Sequence, residues 1–422
     1  MGTDILDLAD RMWRGDADMD VRGLFGMGGA LADLGGDRAF VAAFSNVAAF
    51  ATADGMVLID TSSPFLAGRV HDVVTEWRPD PLHTAVYTHG HIDHVFGVER
   101  YESDAREQGA PTPRVVAHEA VPPRFDRYIE TAGYNTQINR RQFGIDRLEW
   151  PTEYRYPDET YRDALTLDVG GVRLELRHGR GETDDHTWVW APKSRTLCTG
   201  DLFIWASPNC GNPQKVQRYA KEWAVALRTM AGLGAETLLP GHGLPIVGVD
   251  RVRESLECTA ELLEVLHDDT VRMMNSGARL DEILHTVRAP QSLLDKPYLR
   301  PIYDEPEFVV RNVWRLYGGW HDGNPAHLKP APDAAVATEV ASLAGGPEQL
   351  AARARELLAE GELRLAGHIV EWAAAAAPED RDVQRARAEV FEARVEAEAS
   401  TMSKGIFGAA ARESRAKVDE DR

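Results

Sequence analysis

Thr88-His89-Gly90-His91-Ile92-Asp93-His94 places four metal-capable side chains within six positions. The segment follows the apolar run Ala85-Val86-Tyr87, which reads as a buried strand. His89 and His91 are two residues apart, so an extended loop can aim both at one cation. Asp93 and His94 continue past the bend and can hold a second cation beside it. Imidazole nitrogen and carboxylate oxygen are the donors that zinc and similar divalent ions take.

Two cations need more ligands than this loop supplies, and later strand ends are the natural source. Asp201 follows Leu197-Cys198-Thr199-Gly200, a strand that stops at a glycine, and its two oxygens can bridge a pair of ions. His242 sits between Gly241 and Gly243, where the backbone can approach a ligand closely. A further ligand is expected near Gly181-Glu182-Thr183-Asp184-Asp185-His186. Glu182, Asp185 and His186 all compete for it. Those that do not ligate are expected to orient the others through hydrogen bonds.

The elements that must position these groups follow from patterning. Short β-like runs alternate with loops and helices between residues 38 and 248, which points to a layered α/β domain. Strands are expected at Phe40–Phe44, Met56–Asp60, Thr84–Thr88, Val115–Ala117, Val172–Leu176, Trp188–Trp190, Thr196–Thr199 and Thr237–Leu239. Helices are expected at Ala67–Trp77 and Ala220–Gly232. Residues 119–163 carry aromatic and basic side chains (Tyr134, Arg140, Arg141) and read as an insertion covering a site. From residue 249 to 410 the pattern is helical, with apolar spacing of three and four over Val252–Asn275 and Glu348–Ala377. Residues 1–37 read as an N-terminal extension, and 411–422 as a polar, frayed tail.

At 422 residues the chain can hold two or three domains, and its formal charge of −20 argues against nucleic acid or an anionic membrane as the main partner. Three cysteines without regular spacing suggest no disulfide framework, and Cys198 reads as a buried strand residue. The acidic start is unlike a signal peptide and no apolar run is long enough to span a bilayer, so a cytoplasmic location is expected. Trp188, Trp190 and Trp205 read as core.

The motifs taken together (His89 to His94, Thr199-Gly200-Asp201, Pro240-Gly241-His242-Gly243, and Leu58-Ile59-Asp60-Thr61 upstream) resemble the metallo-β-lactamase superfamily. Arg180-Gly181-Glu182-Thr183 stands where most of that superfamily has a histidine, and a glutamate there is similar to the alkyl sulfatase branch. Met274-Asn275-Ser276-Gly277 and Tyr317-Gly318-Gly319-Trp320-His321 resemble the same branch downstream. The resemblance implies an αββα four-layer sandwich followed by an all-α dimerisation domain, hence a homodimer. It implies one ion, zinc in most relatives, on His89, His91 and Glu182. A second would sit on Asp93, His94 and His242, with Asp201 bridging where the sulfatases usually carry glutamate.

A hydrolase acting on a sulfate ester or related ester, possibly anionic, follows from this, with Asp93 and Asp201 as its catalytic carboxylates. Asn209 and Arg218 are expected substrate contacts because the matching sulfatase loop supplies them, with Tyr317 and Arg141 as further candidates. A lactonase, thioesterase or other carboxylic ester hydrolase is the alternative on the same site, and a non-catalytic metal-stabilised dimeric module is another. Glu182 adds a negative charge relative to imidazole, which is expected to weaken the Lewis acidity of its ion.

Overall fold

The computed structural model describes residues 5–17 and 28–419. The part of the N-terminal extension at 1–4 and 18–27, and the tail at 420–422, lie outside the described residues.

A seven-stranded sheet runs in the order β1 to β7: β1 Ala30–Gly35, β2 Arg38–Ala42, β3 Val47–Thr52, β4 Gly55–Ile59, β5 Leu82–Val86, β6 Arg114–His118 and β7 Glu159–Tyr161. Its first four strands are antiparallel neighbours and β4 to β7 are parallel. A six-stranded sheet comprises β8 Ala164–Val169, β9 Val172–His178, β10 Thr187–Ala191, β11 Thr196–Ile204, β12 Thr237–His242 and β13 Ile246–Val247, ordered β13-β12-β11-β10-β9-β8.

The pleat sorts the side chains of the first sheet between two cores. Phe40, Phe50, Val57 and Ile59 join Leu174, Leu176, Val189 and Leu197 of the second sheet in one cluster. Their alternates Val41, Ala49, Met56 and Leu58 pack with Val70, Val74, Val98 and Phe125 of the covering helices. Strands buried on both faces read as continuous apolar runs, which is why they are legible without alternation. Trp223, Leu227 and Leu256, from helices Ala220–Ala231 and Val249–Asn275, complete the layering behind the second sheet. The expected αββα sandwich is thus present, and Trp188, Trp190, Trp205 and Cys198 are buried in it.

Two compact units divide the chain: 1–132 with 151–319, and 133–150 with 320–422. The first therefore keeps the helices of residues 249–319, which the sequence grouped with the helical domain. Their apolar residues Leu262, Leu263, Leu266, Val309 and Val313 belong to the core of the sheets. The extension also divides differently, because β1 pairs with β2 and is part of the first sheet. The second unit has its own core, including Leu350, Leu357, Val370, Val383, Val390 and Phe391. Gly133–Trp150 belongs to this unit, with the Gln142 amide donating 2.8 Å to the Thr401 carbonyl. The long helical pattern at Glu348–Ala377 is two helices, Pro347–Ala359 and Leu363–Ala376, broken at Gly361 with φ 81°. The polar tail is helical as far as described, in Thr401–Asp419, because Ala411 and Ser414 are buried.

Candidate metal centre

The loop after β5 (His89 to His94), the loop between β9 and β10 (Glu182), β11 (Asp201) and the end of β12 (His242) deliver the candidate ligands to one edge of the paired sheets. His89, His91, Glu182 and Asp201 offer donor atoms that lie within 4.8 Å of one another, and so do Asp93, His94 and His242. Asp201 joins the two groups. Its Oδ2 lies 3.8 Å from His89 Nε2 and 3.3 Å from His242 Nε2, and its Oδ1 lies 3.4 Å from His94 Nε2. Glu182 Oε2 lies 3.6 Å from His89 Nε2 and 3.4 Å from His91 Nδ1. Asp93 Oδ2 lies 3.4 Å from both His94 Nε2 and His242 Nε2.

These separations are too long for good hydrogen bonds. They match the edge of a tetrahedron around a cation with bonds near 2.1 Å, about 3.4 Å. His94 Nε2, Glu182 Oε2 and Asp201 Oδ1 are buried and have no hydrogen-bond partner. Buried polar atoms left unpaired are costly. Convergent orphan atoms at ligand spacing are therefore what a divalent-metal site looks like, and the residues present fit one.

Three of the four imidazoles, His89, His94 and His242, are aimed by their other nitrogen. His94 Nδ1–H donates 2.7 Å to Asp60 Oδ2, and His242 Nδ1–H donates 2.5 Å to the Phe44 carbonyl. The Thr88 hydroxyl donates 2.8 Å to Asp60 Oδ2 and accepts from His89 Nδ1–H at 3.0 Å. Asp60 Oδ1 accepts the Thr88 backbone N–H at 2.7 Å. One carboxylate at a strand end thus orients two candidate ligands, from a left-handed backbone (φ 62°) that aspartate tolerates better than most residues. Asn46 performs the equivalent bracing for His242. Its amide donates 2.9 Å to the carbonyls of Pro240 and Gly243, tying the turn before β3 to the turn at the end of β12.

Asp201 is aimed by a register break. The β11–β12 ladder shifts between Gly200 and Ile204, where one strand carries extra residues. Gly241 is required opposite it, because a Cβ there would lie 2.0 Å from Asp201 Oδ1.

The three candidates between β9 and β10 separate cleanly. Glu182 faces the histidines. Asp185 accepts the Gly90 N–H at 2.9 Å and Arg124 Nε at 2.6 Å, fixing the backbone between His89 and His91. His186 stacks on His89 with centroids 4.5 Å apart and bonds the Thr199 carbonyl.

The expected substrate contacts make the following interactions within the chain. The Asn209 amide donates 3.0 Å to Glu182 Oε1, and buried Arg218 also donates to Oε1 and to the Asn209 carbonyl. Both engage the ligand because a buried carboxylate demands partners for its second oxygen. Tyr317 bonds His267 Nε2 at 3.0 Å on neighbouring helices. Arg141 belongs to the second unit, exposed and 3.6 Å from Glu413. Asp60, Asn46, Arg124 and the Phe44 carbonyl were not picked out as site groups from sequence. Only Asp60, an acid closing an apolar strand, carried a readable signal.

Burial pushes every imidazole here towards neutrality, and His89 and His91 lie well below the usual range. At His242 the carboxylates of Asp201 and Asp93 override burial and hold the ring up at about 10, and His94 is raised in the same way.

Residues 41–242 match the metallo-beta-lactamase superfamily, and residues 279–417 match the alkyl sulfatase dimerisation family. The chain therefore joins a metallo-beta-lactamase superfamily domain to an alkyl sulfatase dimerisation domain. It is 28% identical over 349 residues to a linear primary-alkylsulfatase of Pseudomonas sp., covering 76% of this chain and 63% of that protein. It is 26% identical over 351 residues to the alkyl/aryl-sulfatase BDS1 of Saccharomyces cerevisiae, covering 77% and 54%. The chain thus spans little more than half the length of these curated relatives. The solved inverting sec-alkylsulfatase Pisa1 from Pseudomonas sp. superposes with a TM-score of 0.83 at 23% identity, covering 96% of this chain and 70% of that one, which shows a shared fold.

Two outcomes test the site. Asp60→Asn should keep the fold but weaken zinc binding about 10- to 100-fold in a chelator competition, because His94 loses its orienting carboxylate; unchanged affinity would refute that role. His242 and His94 must shed protons to ligate, so zinc binding at pH 7 should release protons. Affinity should then fall about tenfold per pH unit of acidification for each proton displaced. Calorimetry in buffers of different ionisation enthalpy reads this directly, and identical heats in all buffers would contradict it.

Proposed function

We propose that this chain is a hydrolase of alkyl sulfate esters, working with two divalent cations, zinc in the first instance. The supporting observation is the convergence of two donor groups on a shared Asp201 at ligand spacing, in a chain that joins a metallo-beta-lactamase superfamily segment to an alkyl sulfatase dimerisation segment. Two bound cations would supply an activated water near neutral pH and offset charge on the ester.

The remaining chemistry belongs to the chain's own residues. Asp60, Thr88 and the Phe44 carbonyl engage Nδ1 of His94, His89 and His242, which turns each Nε2 towards the carboxylates. Asp201 faces histidines of both groups, so one side chain fixes their spacing. Lys215 is a half-buried ammonium, pushed down to about 8 by burial and by Arg218, and it senses Asp93 and Glu182 electrostatically. It is the cation we assign to the sulfate. Asp93, exposed enough to meet solvent, and Asp201 are the carboxylates that would help hold the cations and orient a water activated by them.

We also assign a homodimer to the helical unit and a cytoplasmic location. In that unit Val336 and Leu343 on helix Asp333–Ala344, and Leu365 and Trp372 on helix Leu363–Ala376, are exposed at seven-residue spacing. Such a stripe suits burial against a copy of itself. No helix among the described residues is long and apolar enough to cross a membrane.

Incubation with a panel of primary and secondary alkyl sulfates should release inorganic sulfate. Chelation should abolish turnover, divalent ions should restore it, and Asp201→Asn should lower kcat by at least about a hundredfold. Turnover of lactones or carboxylic esters with no sulfate release would overturn the assignment. Leu343→Glu with Trp372→Glu should halve the mass measured by light scattering, and a native protein already at monomer mass would refute the dimer.

A further inference from the structure

Glu182 divides its carboxylate between two tasks. Oε2 faces His89 and His91 at 3.6 and 3.4 Å and makes no hydrogen bond. Oε1 is held by the buried Arg218 guanidinium and by the Asn209 amide at 3.0 Å. Only one oxygen is left to ligate, so a two-oxygen grip on a cation is closed off. Arg218 is itself held in place: Asn312 Nδ2 donates 2.8 Å to the Arg218 carbonyl, and Asn312 Oδ1 accepts the Arg218 N–H at 3.3 Å.

The charge balance follows from burial. Both members of the pair are almost fully excluded from solvent. A buried guanidinium without a counter-ion is strongly unfavourable, and a close opposite charge in a low dielectric cancels most of a carboxylate's field. Glu182 with Arg218 therefore presents one oxygen and nearly no net charge, which is what a neutral imidazole presents.

Resting on the dinuclear reading above, we infer that Arg218 is a built-in counter-ion that makes Glu182 a neutral, single-oxygen ligand, so that the pair does the work of one histidine. Arg218 is thereby a positioning residue. The glutamate does not weaken the Lewis acidity of its cation to the extent its formal charge suggests.

A double-mutant cycle on the full-length protein tests this, read by zinc stoichiometry and affinity under chelator competition. The wild type should bind two zinc ions; if it binds none, the metal reading itself fails, whatever the cycle gives. Glu182→His alone leaves Arg218 buried beside a cation without its partner, and should weaken one zinc at least a hundredfold. Adding Arg218→Met should restore that zinc to within about tenfold of wild type. An Arg218 that serves only the substrate or only the fold predicts a double variant no better than Glu182→His, and that result overturns the inference. Should the His/Met protein not fold, as judged by circular dichroism, the near-isosteric pair Glu182→Gln and Glu182→Gln/Arg218→Gln decides. At least tenfold tighter zinc in the double variant supports the counter-ion, and equal or weaker binding refutes it.

Discussion

Uncompensated negative charge in a dry site is the constraint on which this structure turns. Asp60, Glu182, Asp185 and Asp201 are all buried, and Asp93 lies beside them. Carboxylates in a low dielectric must be protonated, paired or bound to metal. The chain pairs Asp60 through both oxygens, and Asp185 and Glu182 through one oxygen each. Asp60 takes His94, the Thr88 hydroxyl and a backbone N–H. Asp185 takes Arg124 and the Gly90 N–H. Glu182 takes Arg218 and Asn209 through Oε1. Among the oxygens that stay unpaired, Glu182 Oε2 lies near His89 and His91 and Asp201 Oδ1 lies near His94. Divalent cations at the positions those atoms share would complete the electrostatic balance.

The fold serves this balance by bringing strand ends together. Parallel pairing of β4 to β7, and of β11 with β12, puts the carboxyl ends of those strands along one edge. Each such end bends immediately after an apolar run, and the bend exposes a ligand or its support: Asp60 after β4, His89 after β5, Asp201 within the irregular β11, His242 at the end of β12. The same geometry explains the glycine at 241, where any side chain would displace Asp201.

Much of this was legible in the sequence because buried strands are long apolar runs and the ligands are a dense local cluster. Strands β4, β5, β6 and β9 to β12 were readable from Val, Ile and Leu content. β1 and β8 were not, since Leu31 or Leu165 alternates with small or polar neighbours and pairing decides the matter. Reading Glu182 over Asp185 and His186 required resemblance, because all three residue types ligate and only the fold says which faces His89. Arg218 and Asn209 were picked out as substrate contacts, and the structure shows both engaging Glu182 Oε1. Sequence places them near the edge, yet it carries no trace of which carboxylate oxygen they meet. The helices of 249–319 read as helical from periodicity, which is blind to the packing partner, and their apolar faces join the core of the sheets.

The central claim is that seven side chains hold two cations bridged by Asp201. Anomalous diffraction at the zinc edge from crystals of the zinc-loaded protein measures it most directly. The account predicts two peaks about 3.5–4 Å apart, one beside His89, His91 and Glu182, the other beside Asp93, His94 and His242, with Asp201 between them. No peak at this edge of the sheets, or zinc bound without Glu182 and Asp201 among its neighbours, would contradict it.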